Sequence, residues 1–105
     1  MITNVKMINN IAITKGINDE VYRREELAKT ADTLLLFNNI EASFVIARID
    51  KKTVGISARS LGNINVGGIL GMLGGGGDAH EAAAKVTNTT TNKLEKEILN
   101  IIKLL

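Results

Sequence analysis

Four consecutive glycines, Gly74-Gly75-Gly76-Gly77, with His80 just beyond them, are the residues of this 105-residue chain best suited to chemistry. Glycine alone reaches positive φ at little cost and lets a ligand approach the backbone with no Cβ in the way. Successive N–H groups in such a turn can point into one concavity and hold an anion. A helix beginning near Asp78 would add free N–H groups and its dipole. The competing reading is a flexible linker, but linkers carry Ser and polar neighbours, whereas an apolar stretch flanks this run. The chemistry implied is the holding of phosphate.

Three further side chains fit that chemistry. His80, the single histidine, could donate to a phosphate or move a proton. Arg59 carries a planar fork suited to bidentate phosphate or base-edge contacts. It shares one strand face with Gly55 and Ser57, while Val54, Ile56 and Ala58 take the other. A face of Gly, Ser and Arg leaves room for a ligand and offers it donors. Asp78 is unexpected beside an anion, unless its carboxylate points away or caps the next element. Asn63 and Asn65 fit turn geometry better than ligand contact. One His, no Cys and no close set of Asp residues leave no constellation for a two-metal hydrolase, and no His-Asp pair surrounds Ser57.

The elements that must position these residues can be read in outline. Residues 5–13 mix β-branched and polar residues and read as an edge strand, with 1–18 as a linker or edge segment. A helix over 19–37, capped by Asn18 or Asp19, buries the stripe Leu27, Ala31 and Leu34. Strands over 42–49 and 53–59 are joined by the hairpin turn Asp50-Lys51-Lys52. A short helix over 66–73 precedes the glycines. Another helical turn is expected at 78–82, then a last strand from Ala82. The final helix starts near Asn92, with Asn92 and Glu95 as a capping box and the stripe Leu94, Ile98, Ile101 and Leu105. The expected fold class is therefore α/β (α+β-like). It is one small domain with a hairpin-containing sheet of about four strands, two longer helices, and a short helix before the glycine-rich loop.

Composition narrows the function further. Hydrophobic residues make up 45% of the chain, which supports one packed core. Aromatics are 3%, too few for base-stacking nucleic-acid platforms. With 13 basic and 11 acidic residues the net charge is +2, too balanced for non-specific DNA or membrane-surface binding. The absence of Cys suits a reducing compartment. Polar residues interrupt positions 1–13, so no signal peptide is read there. The longest apolar stretch, 64–77, is shorter than a spanning helix and contains Asn65. No membrane contact and a cytoplasmic location are expected of this segment.

The run from Val54 to Val66, VGISARSLGNINV, followed by GILGMLGGGG and HEAAA, resembles the C-terminal domain of DHH-type phosphoesterases. The longer stretch EASFVIARIDKKTVGISARSLGNINV is most similar to the cyclic di-AMP phosphodiesterases of Gram-positive bacteria and their relatives. This resemblance spans about residues 19–86. It implies a substrate-binding domain over 1–105, with the catalytic DHH domain and its manganese ions lying outside these residues and working in cis. No cofactor is implied for this segment, and the segment alone would be inactive. By matching positions, Ser57, Arg59 and Ser60 would face the ligand, Gly74 to Gly77 would form the phosphate loop, and His80 would contact phosphate. The implied ligand is a cyclic dinucleotide or short oligonucleotide, and the implied parent is a hydrolase, in some relatives anchored to a membrane by N-terminal helices.

In the family the histidine follows the glycines at once, whereas here Asp78 and Ala79 intervene. A rival expectation is an RNA-binding module like the end of alanyl-tRNA synthetases. A structural or homodimerising domain, with the glycines serving helix packing, is another.

Overall fold

A computed structural model describes residues 4–17 and 19–105. The chain runs β1 (Val5–Ile8), β2 (Ile11–Lys15), α1 (Arg24–Leu34), β3 (Ala42–Arg48), β4 (Thr53–Ser60), α2 (Val66–Gly71), β5 (Gly76–Gly77), β6 (Glu81–Thr87) and α3 (Thr91–Lys103). The six strands form one mixed sheet in the order β1-β2-β3-β4-β6-β5. Only β2 and β3 pair in parallel, which requires a crossover, and α1 supplies it.

Among the described residues the sheet therefore holds six strands, not about four. One extra strand comes from the N-terminal segment, which is a hairpin rather than a single edge strand. Asn9 and Asn10 turn the chain at positive φ, 49° and 70°, a backbone state that asparagine tolerates. The other is β5, made of the last two glycines and paired with Ala82 and Ala83 of β6.

Strand alternation builds three layers. Phe44, Ile46, Val54, Ile56 and Ala58 point to one face, where Val66, Ile69 and Leu70 of α2 and Leu94, Ile98 and Ile102 of α3 cover them. Ala12, Val45 and Ala47 point to the other, against Leu27, Ala31 and Leu34 of α1. Ser43 also faces α1, and its hydroxyl donates to the Ala31 carbonyl at 2.8 Å.

Helix ends depart from the sequence reading. The first helix starts at Arg24, not near Asp19, and Asn18 lies outside the described residues. Glu26 accepts the Arg23 N–H at 3.2 Å and holds that start. Thr90, not Asn92, caps α3, its hydroxyl accepting from the Lys93 N–H at 3.1 Å. In α3 the buried stripe is Leu94, Ile98 and Ile102, and Leu105 is exposed. No helix begins at Asp78. Residues 78–80 form a turn into β6.

Candidate functional site: a cleft beside the glycine run

Because α1 packs over β3 and β4, it leaves the α1-facing side of β6 and β5 bare. The uncovered strip is a cleft of about 470 Å³. Its floor is low: Gly55 and Ser57 of β4, Ala83 of β6, and Gly76 and Gly77 of β5. Arg24 and Glu25 of α1 stand on one side, and Arg59 and Glu81 on another.

Ser57 is only 7% exposed, and among the described residues its hydroxyl has no hydrogen-bond partner. A hydroxyl that opens onto a cleft floor with no protein partner is a donor and acceptor ready for a ligand.

Arg59 lines the same cleft but is already engaged. Its Nε lies 2.8 Å from Oδ1 of Asp32 and 3.6 Å from Oε1 of Glu81, and Nη1 donates to the Ala58 carbonyl at 2.9 Å. Its positive charge is thus met by two carboxylates. Neither carboxylate stood out in the sequence. Asp32 is one helix face of α1, and Glu81 is the residue paired with Arg59 across β4 and β6.

The glycine run divides into two halves. The N–H groups of Gly74 and Gly75 donate to carbonyls of α2, Gly71 at 3.2 Å and Leu70 at 2.8 Å, closing that helix. Gly76 and Gly77 form the edge strand that borders the cleft. The expected single nest of four N–H groups is therefore half helix cap and half sheet edge.

Asp78 points away from the cleft into the turn. Its Oδ1 accepts the N–H groups of His80 at 2.8 Å and Glu81 at 2.9 Å. Those two bonds hold its carboxyl below the ordinary 3.8. The two residues between the glycines and His80 thus build the turn that carries the chain from β5 to β6.

Of the residues singled out from the sequence, Ser57, Arg59, Gly76 and Gly77 meet at this cleft. Gly74 and Gly75 line a smaller adjoining hollow with Arg24 and Lys85. Ser60 lies elsewhere: β4 alternation turns it to the opposite face from Ser57 and Arg59, where it is buried and accepts the Gly62 N–H at 3.0 Å. His80 is exposed at the turn, its imidazole beside Gly62 and outside the cleft lining. Arg24 and Lys85 were missed. The first read as solvated helix surface, and the second sits on the β6 face that Ala83 and Glu81 share. Among the described residues no group of three or more His, Cys, Asp or Glu could hold a metal ion.

A family model described as the DHHA1 domain matches residues 5–105. The chain belongs to the DHHA1 domain family. This DHHA1 domain is 46% identical over 94 residues to the cyclic-di-AMP phosphodiesterase GdpP of Geobacillus thermodenitrificans, and 42% identical over 94 residues to the cyclic-di-AMP phosphodiesterase PdeA of Listeria monocytogenes. Each match takes in 90% of this chain and only 14% of the relative, so the chain spans about one seventh of those proteins.

Two solved structures share its fold. A pGpG-specific phosphodiesterase, PggH of Vibrio cholerae, superposes with a TM-score of 0.69 at 16% identity, over 95% of this chain and 35% of that one. The C-Ala domain of Aquifex aeolicus alanyl-tRNA synthetase superposes with a TM-score of 0.67 at 22% identity, over 92% of this chain and 98% of that one. The DHHA1 fold is thus found attached to quite different proteins, and the site must carry the functional argument. Among the described residues no helix is long and apolar enough to cross a membrane.

Proposed function

We propose that this domain grips a nucleotide for a phosphodiesterase whose catalytic DHH domain, with its manganese ions, acts in cis and supplies the hydrolytic step. The observation that carries the reading is Ser57, a residue only 7% exposed whose hydroxyl has no partner among the described residues, on a cleft floor of glycine, alanine and serine. Such a floor admits a sugar or phosphate close to the backbone, and Ser57 bonds it there. Arg59 stands at the rim, where a phosphate oxygen competes with Asp32 and Glu81 for its fork. The exposed edge of Gly76 and Gly77 closes the other side. Among the described residues no group of three or more His, Cys, Asp or Glu could hold those ions. The domain's contribution is to bind and orient.

The ligand class we infer is a cyclic dinucleotide such as cyclic di-AMP, or a short linear oligonucleotide such as pApA. We place the whole protein's activity on the cytoplasmic side. The test is a titration of the 105-residue chain with cyclic di-AMP and with pApA, followed by backbone amide NMR. Shifts concentrated at Ser57, Arg59 and Gly74–Gly77 are expected. Salt-sensitive binding of tRNA, with no response to either dinucleotide, would replace this reading with an RNA-binding one.

A further inference from the structure

The cleft has a charge problem. Its rim offers two cations, Arg24 and Arg59, against the carboxylates of Glu25 and Glu81, and Arg59 also meets Asp32. A dianion entering there finds little net attraction. The adjoining hollow is different. It measures about 180 Å³ and is lined by Arg24, Gly74, Gly75, Ala83, Ala84 and Lys85, two cations and no carboxylate. Among the described residues neither Arg24 nor Lys85 enters an ion pair. Both side chains are exposed and also border a larger hollow that Glu25, Glu26 and Asp50 line, so their charges reach solvent and both hollows. Arg24 also lines the larger cleft, so one ligand can span from Ser57 to Lys85.

We infer that Arg24 and Lys85 form a second anion subsite, and that its ligand is a terminal phosphomonoester. A phosphomonoester carries a charge of about −1.5 to −2 at neutral pH, against about −1 for the internal phosphodiester link of a dinucleotide. Two unpaired cations over a glycine surface match the former. Arg24 takes two oxygens through its fork, and Lys85 adds a point charge. The inference rests on the nucleotide-gripping reading, and it deepens that reading by naming the end of the ligand that the domain prefers. A linear dinucleotide with a 5′-phosphate fills both hollows. A cyclic dinucleotide has no terminal phosphate to offer the second.

The test compares pApA with ApA, which lacks the 5′-phosphate, by calorimetric titration of the 105-residue chain and its Arg24→Gln/Lys85→Gln variant. Both positions are exposed, so the variant is expected to fold, which circular dichroism checks. A Lys103→Gln variant, on the helix of the opposite layer, controls for loss of general charge. The expected result is that pApA binds at least about tenfold more tightly than ApA, as one charge-assisted contact suffices to give. The double variant then loses that preference, pApA weakening at least about tenfold more than ApA. Three results overturn the inference: a preference that survives in the double variant, equal weakening of both ligands, or the same loss in Lys103→Gln. Binding of ApA with shifts at Ser57 and Gly76–Gly77, but no preference for pApA, removes the second subsite and leaves the nucleotide-gripping reading standing. No response to either dinucleotide overturns both.

Discussion

Adjacent glycines in the run have different physical reasons to be glycine. A Cβ built on Gly75 would lie 2.3 Å from the Ala83 carbonyl oxygen, and one on Gly77 would lie 2.2 Å from that of Glu81. Both positions press against the backbone of β6, which cannot yield as a side-chain tip can. A Cβ on Gly76 would meet nothing within 4 Å. Gly75→Ala is therefore expected to cost at least about 2 kcal/mol, by the overpacking route. In thermal melts that is a fall in Tm of roughly 8–16 °C for a domain of this size. Gly76→Ala is expected to melt within a few degrees of the parent while its methyl, standing at the cleft edge, weakens pApA. A Gly76→Ala protein that binds as well as the parent would remove β5 from the ligand surface. Ser57→Ala is the complementary change: the fold holds, since no protein partner is lost, and pApA affinity drops about tenfold. Calorimetric titration reads both.

At the scale of elements, the turn between β5 and β6 depends on one carboxylate. Asp78 accepts two N–H groups at the head of β6, and its carboxyl titrates below the ordinary 3.8 because of them. A depressed carboxyl adds stability that is fully present above its unfolded value and is lost as pH falls through the folded one. Hydrogen-exchange protection of the His80 and Glu81 amides is thus expected to be flat from neutral pH down to about 4 and to fall below that. Asp78→Asn keeps an acceptor oxygen and should abolish the pH dependence, whereas Asp78→Ala should lose protection at every pH. The same logic holds in the β3–β4 turn, where Asp50 accepts the Lys52 N–H at 2.8 Å and its carboxyl is likewise lowered. At α3 the working cap is Thr90, and Thr90→Ala should cost about 1 kcal/mol, with Asn92→Ala near neutral, in denaturant unfolding.

For the molecule as a whole, β3 is the member on which both layers rest. Its residues from Ala42 to Ala47 are buried, the even ones against α2 and α3 and the odd ones against α1. Phe44 is fully buried and the largest side chain of that strand. Phe44→Ala is expected to cost about 3–5 kcal/mol, a large share of the 5–15 kcal/mol that holds a typical domain folded. Chemical denaturation should show it as a lower midpoint. The candidate cleft needs this platform because α1 packs on β3 and β4, and the strip it leaves bare over β6 and β5 is the cleft floor.

The sequence determined by itself what local chemistry and period can carry. The stripe Leu27, Ala31 and Leu34, the alternation through β4, the hairpin around Asp50 and the family motif were all legible, because each depends on neighbours within a few residues. The face shared by Ser57 and Arg59 was legible for the same reason. Ser60 came from carrying a motif over whole, whereas a period of two turns it to the face opposite Ser57.

The tertiary structure alone decided the rest. Gly74 and Gly75 close a helix while Gly76 and Gly77 become a strand, and that choice is made by β6, which pairs with only two of them. Arg59 is held by Asp32 and Glu81, residues 27 and 22 positions away, and no spacing rule reaches that far. Arg24 of α1 and Lys85 of β6 line one hollow only because packing brings the two elements side by side. Electrostatic partners and cleft walls depend on distance through space, and the chain sets those distances only once it is packed.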